Sequence, residues 1–284
     1  MRKTDLGTFK EQPFPPSRTA TVDTVHIGKT RHHVPVLLEV DVTRAREVIA
    51  ARKKEAGEEI SFAGWATKCL AQAASEHKRM HALRKGRGKL VLFDDVDVAM
   101  TIYREYTGDD AGERLPMPVV IRRANEKAVG EISAEVRAAQ TLSLEPGQQW
   151  LRPEGGAPDP WLWRLFAALP WPARKWLVWK PLLGDPYRVK RTMGTVLVTS
   201  AALSGSPAWA IPIGIHPLIV ALGSISRKPA LVEERIEPRD MLSLSVLFDH
   251  DVVDGLPVAR FVRRLTGLLE GAFGLEAEKA GSEE

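Results

Sequence analysis

One cysteine in 284 residues, Cys69, leaves this chain without a disulfide framework and without a thiolate cluster for a metal. Its seven histidines are scattered along the chain, and no metal site is expected. No run approaches the ~20 apolar residues that span a bilayer. The first residues, Met1-Arg2-Lys3-Thr4-Asp5-Leu6-Gly7, lack the apolar centre of a secretory leader, and a cytoplasmic protein is expected. Nucleic-acid binding is not suggested either. The net charge is only +4, from 40 basic and 36 acidic residues, and no basic run is interleaved with aromatics. Cys69 lies in Trp65-Ala66-Thr67-Lys68-Cys69-Leu70-Ala71, where it reads as helix packing.

What the chain does have is 44% hydrophobic residues, enough for a proper core, and one conspicuous stretch near its C-terminal end. Met241 to Phe248 alternates, with Leu242, Leu244, Val246 and Phe248 on one side, which predicts a half-buried strand. After Gly255, the residues Val258, Phe261, Val262, Leu265, Leu268 and Leu269 recur at helical spacing, with Arg260, Arg263 and Arg264 on the other face. Between strand and helix lies Asp249-His250-Asp251-Val252-Val253-Asp254-Gly255. A histidine at a strand terminus is well fixed, and near neutral pH an imidazole can take a proton. Asp254, four residues on, can be turned back towards the ring or towards an arginine that braces the loop. His250 is thus a candidate general base, set against the plainer reading of a histidine hydrogen-bonded in a turn.

The rest of the chain alternates strands and helices. Pro13, Pro15 and Pro16 make residues 1 to 20 an extended arm. Val34 to Thr43 predicts a strand, and Thr43 opens a helix through Ala45, Val48 and Ile49. Ser61 caps a second helix. Lys89–Phe93 and Val96–Ile102 read as a hairpin, Met117–Arg122 as a strand, and Val129, Ile132 and Val136 as a helix face. Gly194 to Ser200 is apolar and β-branched, a buried strand, followed by the small-residue loop Ala201-Ala202-Leu203-Ser204-Gly205. Ile211 to Gly223 predicts a loop and another strand.

His-x-x-x-Asp-Gly between such a strand and an Ala-Arg-Phe helix resembles the catalytic domain of the dihydrolipoamide acyltransferases of 2-oxoacid dehydrogenase complexes, and their relative chloramphenicol acetyltransferase. The likeness extends over Glu39-Val40-Asp41-Val42-Thr43, Val96-Asp97-Val98-Ala99, Pro118-Val119-Val120-Ile121-Arg122-Arg123-Ala124 and Glu131-Ile132-Ser133-Ala134-Glu135-Val136, from about residue 18 to 275. It implies an α/β fold, a two-layer sandwich with a mixed β-sheet of the coenzyme A-dependent, chloramphenicol acetyltransferase-like kind. One catalytic domain is expected over 21–275, with a flexible tail over 276–284. Coenzyme A or acyl-coenzyme A is implied as substrate, with no metal. The implied assembly is a homotrimer, or a larger assembly of trimers, with active sites between subunits.

The resemblance also assigns roles. His250 is the general base, and Thr199 takes the position of the family's oxyanion-stabilising serine in an ungapped match from Gly194 to Gly205. Ser200, one residue on and on the other strand face, is the alternative donor. Asp254 is implied to pair with an arginine of the N-terminal arm, here Arg18, with Arg31 as a competitor. The family usually has Asp-His-Arg where this chain has Asp249-His250-Asp251, and Asp251 can raise the pKa of His250 if its carboxylate lies close. His216 is expected to be structural, as are His32 and His33. Family members commonly carry a lipoyl domain before the core. This chain starts close to the core, so the expectation is either a stand-alone transferase using coenzyme A thioesters or a core that borrows lipoyl groups from a lipoyl-bearing protein in trans. A catalytically silent scaffold that keeps only the fold is the alternative.

One stretch departs from the family. Six of the eight tryptophans fall between Trp150 and Trp179, mixed with prolines, where relatives have a short polar connection. Trp161–Leu169 and Ala173–Trp179 predict short helices broken by proline. Packing on this or a neighbouring subunit, lining for an acyl chain or acceptor, and peripheral docking on a membrane surface all fit such a composition.

Overall fold

A computed structural model describes residues 2–4, 7–11, 14, 18–105, 114–141, 160–200 and 207–275. The expected loop at 201–205, Trp150 and the expected tail at 276–284 lie outside the described residues.

Strands β1 (Arg2–Thr4) and β2 (Gly7–Phe9) form a small antiparallel pair, and helix α1 (Thr19–Gly28) follows. Strand β3 (His33–Asp41) leads into α2 (Thr43–Ala56). There the Thr43 hydroxyl donates to Asp41 Oδ1 at 2.5 Å and accepts from the Asp240 amide at 2.8 Å, tying the helix start to a neighbouring strand. Helix α3 (Phe62–Glu76) has the expected cap: the Gly64 amide donates to Ser61 Oγ at 3.2 Å. A 3-10 turn (Lys78–His81) then reaches β4 (Leu83–Lys85) and β5 (Lys89–Val91), followed by β6 (Val98–Glu105), β7 (Arg114–Ile121) and α4 (Val129–Thr141).

The remaining elements are α5 (Pro160–Ala168), α6 (Trp171–Arg174), a π turn (Lys175–Trp179), α7 (Lys180–Leu183), α8 (Pro186–Met193), β8 (Val196–Ser200), β9 (Leu218–Val232), β10 (Arg235–Asp249) and α9 (Gly255–Glu270). Pro181 lacks an amide hydrogen and its ring crowds the turn before it. The chain there widens, and the Lys180 amide donates to the Lys175 carbonyl.

Six strands form one mixed sheet in the order β3-β10-β9-β8-β6-β7, with β6/β8 and β8/β9 parallel and the other pairs antiparallel. One face carries Val196, Val198, Leu218, Val220, Leu242, Leu244, Val246 and Phe248, packed against α3, α4 and α9. The apolar face is the predicted alternation and a two-layer α/β sandwich results, but β10 is buried on both faces rather than half-buried, with Ser243 and Ser245 at 2% and 0% exposure. The expected pairing of 89–93 with 96–102 is replaced by two others: β5 pairs with β4, and β6 lies between β7 and β8. Lys85-Gly86-Arg87-Gly88 explains the change. Gly86 sits at φ +61°, so this segment makes a tight turn of its own and gives β5 a local partner.

The opposite face is covered by the segment after residue 207. Gly223 is required there, because a Cβ would lie 2.3 Å from the Ala208 carbonyl oxygen, which accepts from the Ser224 amide at 3.2 Å. A second, smaller core of Leu83, Trp179, Val189, Met193 and Ile215 joins β4, the π turn and α8, with Ile27 of α1 packed on it.

Candidate active site

β10 ends at Asp249, so His250 begins the turn at the sheet's end, as predicted. The His250 amide donates to the His32 carbonyl at 3.0 Å, and the Asp249 amide donates to the Pro217 carbonyl at 2.9 Å. The loop is therefore stitched to the start of β3 and to the segment before β9. The imidazole lies beside the Phe248 ring, 5.9 Å between centroids, and is about half exposed. Its Nδ1 is 3.9 Å from Asp254 Oδ1. That is too long for a hydrogen bond, and Asp254 is 90% exposed, so the pair is an open arrangement rather than a locked one.

A polar cluster holds the loop from outside. Asp249, almost fully buried, receives Arg31 at 3.5 Å on Oδ2 and the Asp251 amide at 3.1 Å on Oδ1. Asp251 lies 2.9 Å from His32 Nδ1 and accepts from Arg84 Nη1 at 3.1 Å. The hydrogen bond with His32, aided by Arg84 and Arg31, holds its carboxyl below the usual carboxylate range. The aspartate that stands where the family usually has arginine is thus committed to His32 and Arg84. Of the two candidate arginines, Arg31 reaches the loop through Asp249, whereas Arg18 is exposed at the start of α1. Sequence reasoning missed His32 and Arg84. Both become neighbours of the loop only through contacts spanning 219 and 167 residues.

Thr199 lies near the end of β8 on the face opposite the helical layer and is half-buried, while Ser200 is exposed. Thr199 pairs with Ala221 of β9, and Ala221 pairs with Ser245 of β10. His250 stands five positions beyond Ser245. At ~3.3 Å per residue along a strand and ~4.8 Å between strands, His250 and Thr199 of one chain are about 19 Å apart. They do not face one common atom within a single copy.

Two buried histidines flank this end of the sheet. His216 Nε2 donates to the Met193 carbonyl at 2.9 Å, and the His216 backbone carbonyl accepts from His33 Nε2 at 2.8 Å, which supports a structural role. His81 lies 2.9 Å from the Thr195 hydroxyl. Burial pushes both down to about 4. Cys69 is buried, and its surroundings push its thiol up, away from the reactive thiolate. Among the described residues no cluster of three metal-ligating side chains occurs.

The Trp-rich stretch packs on its own chain. Arg174 makes a two-pronged contact with fully buried Asp23 of α1, with Nε and Nη2 at 2.7 and 2.8 Å, and Trp179 Nε1 donates to the same carboxylate at 2.9 Å. Trp171 stacks on His26 with centroids 5.4 Å apart.

Residues 7–146 and 193–275 match the family described as 2-oxoacid dehydrogenases acyltransferase (catalytic domain). That covers well over half of the chain, which belongs to this family. The unmatched gap contains α5 through most of α8. The chain is 24% identical over 267 residues to the lipoamide acyltransferase component of the branched-chain alpha-keto acid dehydrogenase complex of Bacillus subtilis, covering 92% of this chain and 52% of that protein. It therefore spans about half the length of that curated relative.

In fold it is similar to the dihydrolipoamide acetyltransferase of Azotobacter vinelandii, with TM-score 0.67, 20% identity, and 97% and 98% of the two chains covered. It is also similar to the cubic core of a pyruvate dehydrogenase multienzyme complex, with TM-score 0.66, 20% identity, and 97% and 98% covered. The fold is that of the dihydrolipoamide acetyltransferase core. No helix among the described residues is long and apolar enough to cross a membrane.

Proposed function

We propose that the chain is a coenzyme A-dependent acyltransferase that moves an acyl group between a thioester and a thiol or hydroxyl acceptor, with its active sites between copies in a homotrimer or a larger assembly of trimers. The observation that carries this reading is the separation of about 19 Å between His250 and Thr199 within one chain, inferred from strand register. A base and an oxyanion donor that far apart can serve one carbonyl only if the second comes from another copy. The relatives that form the core of a multienzyme complex support such assembly. So do Leu231 and Ile236, which pair near the tip of the β9–β10 ribbon and stand exposed.

In this mechanism His250 takes the proton from the attacking thiol, whose sulfur adds to the thioester carbonyl. Thr199 donates its hydroxyl hydrogen to the developing oxyanion, and Ser200 is the alternative donor. Collapse of the tetrahedral intermediate breaks the carbon–sulfur bond to the departing thiol, which recovers the proton from His250. Asp254 orients the imidazole once the open 3.9 Å gap closes on substrate. The Azotobacter relative has been probed for the catalytic roles of a serine, a histidine and an asparagine four residues after that histidine, the spacing of His250 and Asp254. Loop bracing falls to Arg31 through Asp249 in a single copy, and Arg18 is the arm arginine available to Asp254 across an interface. The acyl carrier is coenzyme A or a lipoyl group presented in trans.

The test combines a thioester-exchange assay, following released coenzyme A thiol, with molar mass in solution. The expected result is exchange that His250→Ala abolishes while a trimer, or a multiple of it, persists. Unchanged turnover in His250→Ala removes the base assignment. No coenzyme A binding at millimolar concentration replaces this reading with that of a silent scaffold.

A further inference from the structure

The helices that the family match omits present a surface unlike the rest of the molecule. Their inner side is fully used: Arg174 and Trp179 close on Asp23, Trp171 lies on His26, and the Arg174 guanidinium stacks 5.5 Å from the Phe166 ring, binding α5 to α6. This underside fixes which way the remaining side chains point. Trp161, Leu162 and Leu165 of α5 are 60%, 43% and 52% exposed, and Trp176 and Leu177 of the π turn are 59% and 69% exposed. These five large apolar side chains fall within 17 positions.

The charge pattern is equally one-sided. From Pro160 to Gly184 there are four basic residues, Arg164, Arg174, Lys175 and Lys180, and no Asp or Glu. Arg174 is consumed by Asp23, which leaves Arg164, Lys175 and Lys180 exposed among the apolar side chains. Lys180 lies over the Trp176 ring at 3.7 Å, so one amphipathic pair presents an aromatic plane and an ammonium together. The whole chain carries 40 basic and 36 acidic residues, and this face departs from that near-balance.

We infer that the outer face of α5 and the π turn docks the protein on the surface of an anionic lipid bilayer. Tryptophan and leucine at the depth of the acyl boundary, with lysine and arginine beside them at headgroup level, are what such a surface takes up. A single short helix offers too little apolar area, but two, held by a buried ion pair, present theirs without an ordering cost at binding. This docking does not depend on the transferase reading.

Sedimentation of the full chain with vesicles, with and without phosphatidylglycerol in phosphatidylcholine, tests this. The protein is expected to pellet with the anionic vesicles, to remain largely in the supernatant with phosphatidylcholine alone, and to shift its tryptophan emission to the blue when bound. Trp161→Ser with Trp176→Ser and Leu177→Ser is expected to abolish pelleting with the circular dichroism unchanged. Lys175→Glu with Lys180→Glu, which leaves the apolar side chains in place, is expected to weaken anionic binding about fivefold or more per lysine, with the effect lost at high salt. Wild-type protein that stays in solution with every vesicle overturns the inference. So does a triple variant that pellets like wild type, or one whose only change is a smaller molar mass in solution, which would make the face a contact between copies. Thioester exchange is measured separately, so docking and chemistry succeed or fail independently.

Discussion

The loop around His250 and the helices between Pro160 and Met193 are held by opposite means. The loop is fixed at the surface by many modest contacts: two backbone hydrogen bonds, Arg31 on Asp249, and His32 and Arg84 on Asp251. The helices are fixed in the interior, by a small apolar core through Trp179, Val189 and Met193 and by one buried carboxylate, Asp23, that satisfies both Arg174 and Trp179. A site spread over several exposed contacts loses little when one is removed. A buried ion pair is brittle, because removing one partner leaves the other desolvated and uncompensated. The family match covers the first region and omits most of the second.

Substitutions that separate chemistry from folding test this contrast. The largest expected effect is on the loop: His250→Ala lowers thioester exchange by about 10³-fold or more with the melting temperature unchanged, measured by initial rates and calorimetry. On the helices, Asp23→Ala destabilises the fold by about 3–5 kcal/mol in urea unfolding, since Arg174 is left buried without its partner. Native-like stability in that variant would show that the helices are not held through the ion pair. Thr199→Val is expected to cost about 10²-fold in kcat, close to 3 kcal/mol, with KM little changed. Ser200→Ala, run beside it, decides which hydroxyl faces the oxyanion.

Acid offers a subtler probe. His81 and His216 have folded pKa values near 4, below the ~6.5 of an unfolded chain, so the unfolded state binds more protons between those values. Stability is fully present above about pH 6.5 and falls as the pH drops towards 4, by up to about 1.4 kcal/mol per pH unit for each histidine. His81→Gln is expected to flatten that slope in urea titrations at successive pH values. The smallest effect is on the exposed cluster: Asp251→Asn changes exchange only a few-fold and stability by less than about 1 kcal/mol, because His32 and Arg84 hold it at the solvent boundary. A large loss there would reveal that the loop has one essential brace after all.

Much of this was legible in the residue order because it is local. The alternation of Leu242, Leu244, Val246 and Phe248, the Ser61 cap and the helical stripe from Val258 to Leu269 each follow from periods set by backbone geometry, and the folded chain reproduces them. The position of His250 at a strand terminus is of the same kind. The partner of β5 was not legible. Two apolar runs near each other suggested a hairpin, while the Gly86 turn gave β5 a nearer partner and sent β6 between β7 and β8.

By itself, then, the sequence determined the type of each principal element, the alternating face that forms the core, and the placement of an imidazole at the end of β10, since all of these depend on residues within a turn or a strand of one another. Only the tertiary structure decided that Asp251 is committed to His32 and Arg84, that Asp23 anchors Arg174 from 151 residues away, and that Thr199 lies far along the sheet from His250. Pairings over such distances are selected by how the whole chain closes on itself, where burial and loop closure are shared among all segments, and no local period records them.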